Sequence, residues 1–450
     1  MPSKKLVAIL SQFFAIFTLI FYPIVVWAAT ATDTTCAAGQ FGSGTDSDTQ
    51  CSGDQVELDA TGLTNGSGNF TSRVIDSGGT GTWSSLGWTP ESPYLKDLPD
   101  SGGADSDYST GTLDMTNNIL LYHLNESSGD ASDSSANSHT GTVTGATQSA
   151  TGKLGDAYSF DGNDRITVSD HNDFSINTTG DLSVAFWMKT GANVTSLQKI
   201  FAKGGCSGDS GFEWTVDISS SKIRAAYSAS NGNSIRVEQS SASLSTGTWY
   251  HVVVVFTGAT SSDDVKIYLN GIEGSSSTLT AGYSYSNGTQ ALCIATGYGG
   301  HVLNYFSGTL DEVAIFSDQV TAAEAWSMYK RGANRLKYQV RSCDDSACSG
   351  ESFIGPDGTG STYYSELTSA ENGLPSKTLS NVDQNRYFQY KAYFETDNSG
   401  YTPELLDITV TYSVGSGIPE FSDAIYVVTM LFGGFYVVRL LNKEQGMYLK

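Results

Sequence analysis

The sequence predicts an all-β protein in which one β-sandwich is inserted into a second, smaller one. Three observations lead there. First, the 450 residues hold 49 glycines but only 16% charged residues, the make-up of short strands joined by tight polar turns rather than of helices. Second, apolar and polar residues alternate along many short runs, the period of a strand with one face on a core. Third, similar runs stand at both ends of the chain. FTSRVID (70–76), Trp83 and Trp88 lie early, whereas LKYQVRSC (336–343), RYFQYKAYFE (386–395) and LLDITVTY (405–412) lie late. Neither group has enough strands to close a core. Residues 56–100 and 334–412 are therefore expected to complete one sandwich around an inserted unit, 117–332. Two separate small domains flanking a large one are the alternative.

Composition narrows the function. Aromatic residues at 11% are ample for real cores. A net charge of −23 excludes a basic surface that could meet nucleic-acid phosphates; it suits solubility outside a cell and weak cation binding.

The ends set the compartment. Lys4 and Lys5 precede an apolar run, 6–26, followed by Ala28, Ala29 and Ala31. This order predicts a signal peptide over 1–31, cut between Ala28 and Ala31, with an uncleaved anchor as the alternative. Residues 32–55 are expected to be a flexible lead-in clipped by a disulfide. At the other end a linker, 413–422, leads to a transmembrane anchor, 423–441, and a cytoplasmic tail, 442–450. Arg439 and Lys443 follow the apolar run and orient it. The linker carries IPEF (418–421), which resembles the Pro-Glu-containing sorting tails of prokaryotic surface proteins; a plain stop-transfer anchor stays open.

Six cysteines in an exported chain suggest three bridges. Proximity along the chain pairs Cys36 with Cys51 and Cys343 with Cys348, leaving Cys206 for Cys293. No paired Cys-x-x-Cys spacing points to a thiolate metal site.

The inserted unit has its own order of motifs. LLYHLNE (120–126) is followed by DSSANSHTG (133–141) and FDGND (160–164). LSVAFWMK (182–189), TWYHVVVVF (248–256), IYLNG (267–271) and GTLDEVAIF (308–316) come later. In this order they resemble the concanavalin A-like, laminin-G-like domain, a two-sheet jelly roll. The residues agree independently: Val252, Val254 and Phe256 alternate, and Asn270-Gly271 supplies a positive-φ hairpin turn. TAAEAWSMYKRG (321–332) predicts a helix with Thr321 as N-cap, Glu324 closing a capping box and Gly332 as the stop.

Catalysis finds little support. Glycosidases of this architecture carry carboxylates at alternate positions of one strand, near enough for acid and nucleophile to act together. Here Asp311 and Glu312 are adjacent, so a regular strand sends them to opposite faces. The five histidines show no metal spacing. SRVIDSGGTGTW (72–83) is similar to a sialidase Asp-box but is single, and reads as a turn. The resemblance implies a structural calcium ion, held by oxygen donors from Asp133, Asn137 and Asp311. The competing reading is that Asp133 caps its own turn and Asp311 bonds nearby backbone. Trp214, Tyr283, Tyr285, Tyr298 and His301 are candidate ligand-binding rings on loops, against the reading that they finish a core edge. The expectation is thus a non-catalytic, surface-anchored adhesion or carbohydrate-binding protein, its partner a glycan or a surface or matrix protein. A structural coat component, or a glycoside hydrolase with an unrecognised site, are the alternatives.

Overall fold

The computed structural model describes residues 27–176, 180–206, 212–228, 234–238, 243–257, 263–279, 288–299, 302–367 and 373–414. The basic and apolar stretches expected to be the signal's first two regions and the C-terminal anchor lie outside these residues. Among the described residues no helix is long and apolar enough to cross a membrane.

Period-two alternation becomes strand throughout. In the central unit, the strands Ile272–Leu279, Asp263–Leu269, Trp249–Phe256, Leu182–Thr190, Ser307–Phe316, Asp156–Asp161 and Thr147–Thr151 lie side by side in one sheet, with Asn118–Tyr122 also paired to Ser307–Phe316. Ser234–Glu238, Lys222–Ser228, Trp214–Ser219, Gln198–Lys203, Leu292–Ile294, Arg165–Val168 and Gly141–Thr144 form the second. Phe160, Phe186, Phe201, Trp214, Phe256 and Val313 belong to the apolar layer between them. Asn270 and Gly271 sit at φ 51° and 75° and turn Asp263–Leu269 back onto Ile272–Leu279, the mirror-image turn that matches strand twist. The first and last strands of the unit are neighbours, with Val313 opposite Tyr122 and Ile315 opposite Leu120.

The strands before and after the central unit share a single sheet. Ile75–Pro90 pairs with Leu405–Val414, placing Trp88 opposite Ile408, and also with Asn385–Thr396. Phe70 packs 6.3 Å from Tyr390, Trp83 4.7 Å from Phe388 and Trp88 4.5 Å from Tyr338, centroid to centroid. Ten described strands wrap one apolar cluster. The register shifts between Asn385 and Tyr387 and between Thr411 and Tyr412, and bulges of this kind bend long strands. The stretch 72–83, expected as a turn, runs into the 16-residue strand Ile75–Pro90. Its glycines serve a bulge there: Gly78 has φ 81° and donates its N–H to Asp76.

The expected flexible lead-in, 32–55, is instead built into this sheet. Trp27–Asp33 pairs with Leu405–Val414, and Thr45–Ser47 and Thr49–Ser52 add further strands. Asp33 is buried, accepting from Arg73 at 2.9 Å and from the Tyr390 hydroxyl at 2.8 Å. Polar composition suggested looseness, but the buried carboxylate and the buried Phe41 anchor the segment. The small residues expected to carry the cleavage point lie within the first of these strands.

All six cysteines are bridged as proximity suggested, Cys36–Cys51, Cys206–Cys293 and Cys343–Cys348, the chemistry of an oxidising, extracytoplasmic setting. The helix Ala322–Ala333 carries the Thr321–Glu324 capping box but passes through Gly332 and ends at Asn334. Gly332 is there for packing: a Cβ on it would meet the Trp187 ring at 2.7 Å. This helix and residues from 98 to 115 cover the outer face of the first jelly-roll sheet through Leu98, Leu113, Met115, Ala325 and Met328.

Candidate functional site

Two places gather histidines with carboxylates, one open and one closed. The open one lies at the rim of the second sheet, where Val168 pairs with Gly141 and the loops flanking that pair meet. Asp133 builds the first loop. Its Oδ1 accepts from the Leu121 and Ser135 N–H groups, each at 2.9 Å, and its Oδ2 from the His139 N–H at 2.7 Å. The Tyr122 hydroxyl donates to the His139 carbonyl. The second loop is pinned by Trp214, whose Nε1 donates to the Phe174 carbonyl at 2.7 Å. Phe174 packs 4.7 Å from the His139 ring, and the His171 ring lies 4.8 Å from His139.

Between the loops, Asp173 Oδ2 stands 2.9 Å from His171 Nδ1 and 3.3 Å from His139 Nε2. The His139, His171 and Asp173 side chains are 13%, 52% and 35% exposed. The two histidines line a cleft of about 300 Å3 together with Ser138, Ser169 and Asp170. Asp170 is held to the buried Lys203 at 2.6 Å.

The closed cluster sits under the outer cover of the first sheet. Trp187 faces Asp311 while Ala185 faces Ala314, so an extra residue intrudes, and Glu312 takes φ 49°. Leu310 and Val313 both point into the inner core; Asp311 and Glu312, between them, therefore share the outer side. The expectation that they occupy opposite faces fails because it assumed a regular strand, and a bulge breaks the period. Asp311 Oδ2 accepts from the Lys153 and Leu154 N–H groups at 2.6 and 2.8 Å, whereas Oδ1 has no partner. Glu312 accepts from the Leu98 N–H at 2.8 Å and meets His123 Nδ1 at 2.5 Å. His123 Nε2 meets Asp100 at 2.8 Å.

Electrostatics follows from that geometry. Burial alone would lower the His123 pKa, but the Glu312 charge and the bonds to Asp100 and Glu312 raise it well above the ordinary value. His123 is thus an imidazolium clamped between two carboxylates. Burial, then the nearby Glu312 charge, push the Asp97 carboxyl up to about 7 and that of Asp311 well up. Beside this cluster, burial raises Glu366 to about 7 although the Tyr108 hydroxyl donates to it.

The candidate residues distribute unevenly. Asp133 and Asn137 share one turn, in which Asn137 Nδ2 donates to the Asn118 carbonyl at 3.2 Å. Asp311 belongs elsewhere: Asp133 bonds at Leu121, opposite Ala314, and Asp311 lies three residues further along that strand, about 10 Å. With Asp133 engaged by three N–H groups and Asp311 sealed beneath its cover, the three do not fit one calcium ion. Trp214, expected as a ligand-stacking ring, is fully buried in the jelly-roll core, because it begins a strand whose inner face meets Phe256. Tyr283, Tyr285 and His301 lie outside the described residues. Tyr298 belongs to the small hairpin Thr296–Gly299 with Val302–Tyr305.

Sequence reasoning missed the pairing of His139 with His171. They stand 32 positions apart, beyond any local metal spacing, and meet because Arg165–Val168 lies beside Gly141–Thr144. The DSSANSH turn and the HND triplet were the available signals. Among the described residues, these two histidines with Asp173, and Asp97 with His123 and Glu312, are the clusters of three His, Cys, Asp or Glu donors lying within 4.8 Å of one another.

Residues 160–325 match the family model of the concanavalin A-like lectin/glucanases superfamily, and this segment is a laminin-G-like domain. No curated protein matches the chain. Similar solved structures include the binding domain of Paraclostridial Mosquitocidal Protein 1, 14% identical over 53% of this chain and 67% of that chain, TM-score 0.38. The botulinum neurotoxin serotype D binding domain is 15% identical over 50% of this chain and 57% of that one, TM-score 0.37. Domain 4 of AbnA, a GH43 extracellular arabinanase from Geobacillus stearothermophilus, is 18% identical over 47% of this chain and 98% of that one, TM-score 0.35.

Proposed function

We propose that this chain is a non-catalytic recognition protein displayed outside the cell. Its laminin-G-like unit would be nested in the host sheet, carried on a C-terminal membrane anchor, and would bind a glycan or a surface protein. The match of residues 160–325 to a lectin-containing superfamily carries this reading. The fate of the acids supports it. Asp311 and Glu312 are 0% and 2% exposed and committed to Leu154, Leu98 and His123, so neither can protonate or attack a bound sugar. The open cleft between the two pinned loops has the concave form and convergent polar groups of a recognition site.

The test is a glycan array probed with the full chain. Saturable binding to a defined class of sugar is the expected outcome. Sugar release from polysaccharide would replace this reading with an enzymatic one, and self-assembly into sheets without sugar binding would replace it with a coat.

A further inference from the structure

We propose that His139, His171 and Asp173 form a site for a divalent transition-metal ion of the zinc class, with an open coordination position facing the cleft. The inference goes beyond the recognition function and does not depend on it.

The donor set fits. Two imidazoles and one carboxylate suit zinc and its neighbours, whereas calcium takes oxygen alone. The spacing fits as well. With metal–donor bonds of about 2.0–2.1 Å, neighbouring donors stand about 3.3 Å apart in a tetrahedral site and about 2.9 Å in an octahedral one. Asp173 Oδ2 lies 3.3 Å from His139 Nε2 and 2.9 Å from His171 Nδ1.

Hydrogen bonding alone serves the arrangement poorly. The Asp173 N–H points at His171 Nδ1 over 3.3 Å, a bond that requires the tautomer with the ring proton on Nε2. In that tautomer Nδ1 faces the Asp173 carboxylate, lone pair against lone pair, at 2.9 Å. A cation between them relieves that repulsion and draws on both, at the expense of one long N–H bond. His139 Nε2 completes the third side.

The supports are those of a positioned site. Metal-ligating side chains need their backbone and rings fixed by outer partners. Asp133 and Tyr122 hold the His139 backbone from both its N–H and its carbonyl. Trp214 holds the loop of His171 and Asp173 through the Phe174 carbonyl, and the Phe174 ring sets the plane of His139. Among the described residues no further His, Cys, Asp or Glu donor joins the three, and the cleft opens beside Ser138 and Ser169. Water or a ligand oxygen would complete the coordination.

The experiment is a titration of the full chain, stripped with EDTA, with Zn2+ by calorimetry and with Co2+ by visible absorption. One equivalent of Zn2+ should bind, Co2+ should develop ligand-field bands, and Ca2+ should displace neither. His171→Ala and the near-isosteric Asp173→Asn should each weaken Zn2+ binding at least about tenfold, while Asp76→Asn, at a remote surface ion pair, leaves it unchanged. If His171→Ala lowers the melting temperature, Asp173→Asn carries the comparison. Failure to bind one equivalent saturably, or an affinity in the site variants equal to that of the parent chain, overturns the assignment. Glycan binding is read separately, so either result leaves the recognition proposal standing or falling on its own test.

Discussion

The rim cleft and the covered cluster are made of the same residue types, yet they do opposite things. At the rim one carboxylate oxygen faces two imidazole nitrogens and water has access. Under the cover one imidazole has both nitrogens occupied by carboxylates, the half-exposed Asp100 and the buried Glu312, and Glu312 also takes the Leu98 N–H. A histidine with two acid partners is satisfied as a cation; two histidines sharing one acid have lone pairs to offer. What separates a structural clamp from a ligand site is therefore the count of protons and lone pairs, together with burial. Neither is legible in composition.

The comparison breaks most visibly at Glu312. Glu312→Ala would leave the Leu98 N–H without its acceptor and the His123 imidazolium with Asp100 alone. Removing one member of a buried pair typically costs about 3–5 kcal/mol, and the remaining Asp100 contact puts this variant at the lower end, measurable as a shift in urea midpoint at unchanged slope. A loss within error would mean the cluster is solvated rather than sealed. Gly332→Ala should come next, at about 1–3 kcal/mol, because its Cβ meets Trp187 within the cover rather than ending a helix. Full stability in that variant would show that the helix can move off the sheet.

Acidity should distinguish the regions further. His123 has a raised folded-state pKa, so its stabilisation is complete below the ordinary histidine value and is lost as pH rises through the folded value. Asp97 and Glu366, raised to about 7, act in the same direction: their folded forms hold protons that unfolded carboxyls release near pH 4. Asp100, lowered by its bond to His123, loses its contribution only as pH falls below the ordinary carboxylate range. Melting should therefore be highest near pH 5 and fall by several degrees toward pH 8. Glu366→Gln should flatten part of that slope, and a flat profile in the parent chain would remove the proton-holding role assigned to the cover. The smallest effect belongs to the rim. His171→Ala should change apo stability by no more than about 0.5 kcal/mol, and a large loss would make His171 a structural residue like His123.

Much of the jelly roll was legible because its information is local. The strand 307–316, the Asn270-Gly271 hairpin and the Thr321 capping box each follow from neighbouring residues. The pairs Cys36–Cys51 and Cys343–Cys348 are local as well. Trp214 was misjudged because Gly- and Ser-rich flanks resemble a loop, whereas its burial depends on Phe256, forty-two positions away. Asp133 was singled out for calcium and turns out to work through the backbone, holding the loop that presents His139. The lead-in 32–55 looked loose because its anchors, Arg73 and Tyr390, lie outside it.

By itself the sequence determined the class of fold, the position of many strands and the oxidised cysteines, since these depend on composition, period and short-range spacing. Only the tertiary structure decided which acids share a face and which histidines meet. Those outcomes rest on a bulge opposite Phe186 and on two loops made neighbours by strand pairing, and both arise from contacts between residues far apart in the chain.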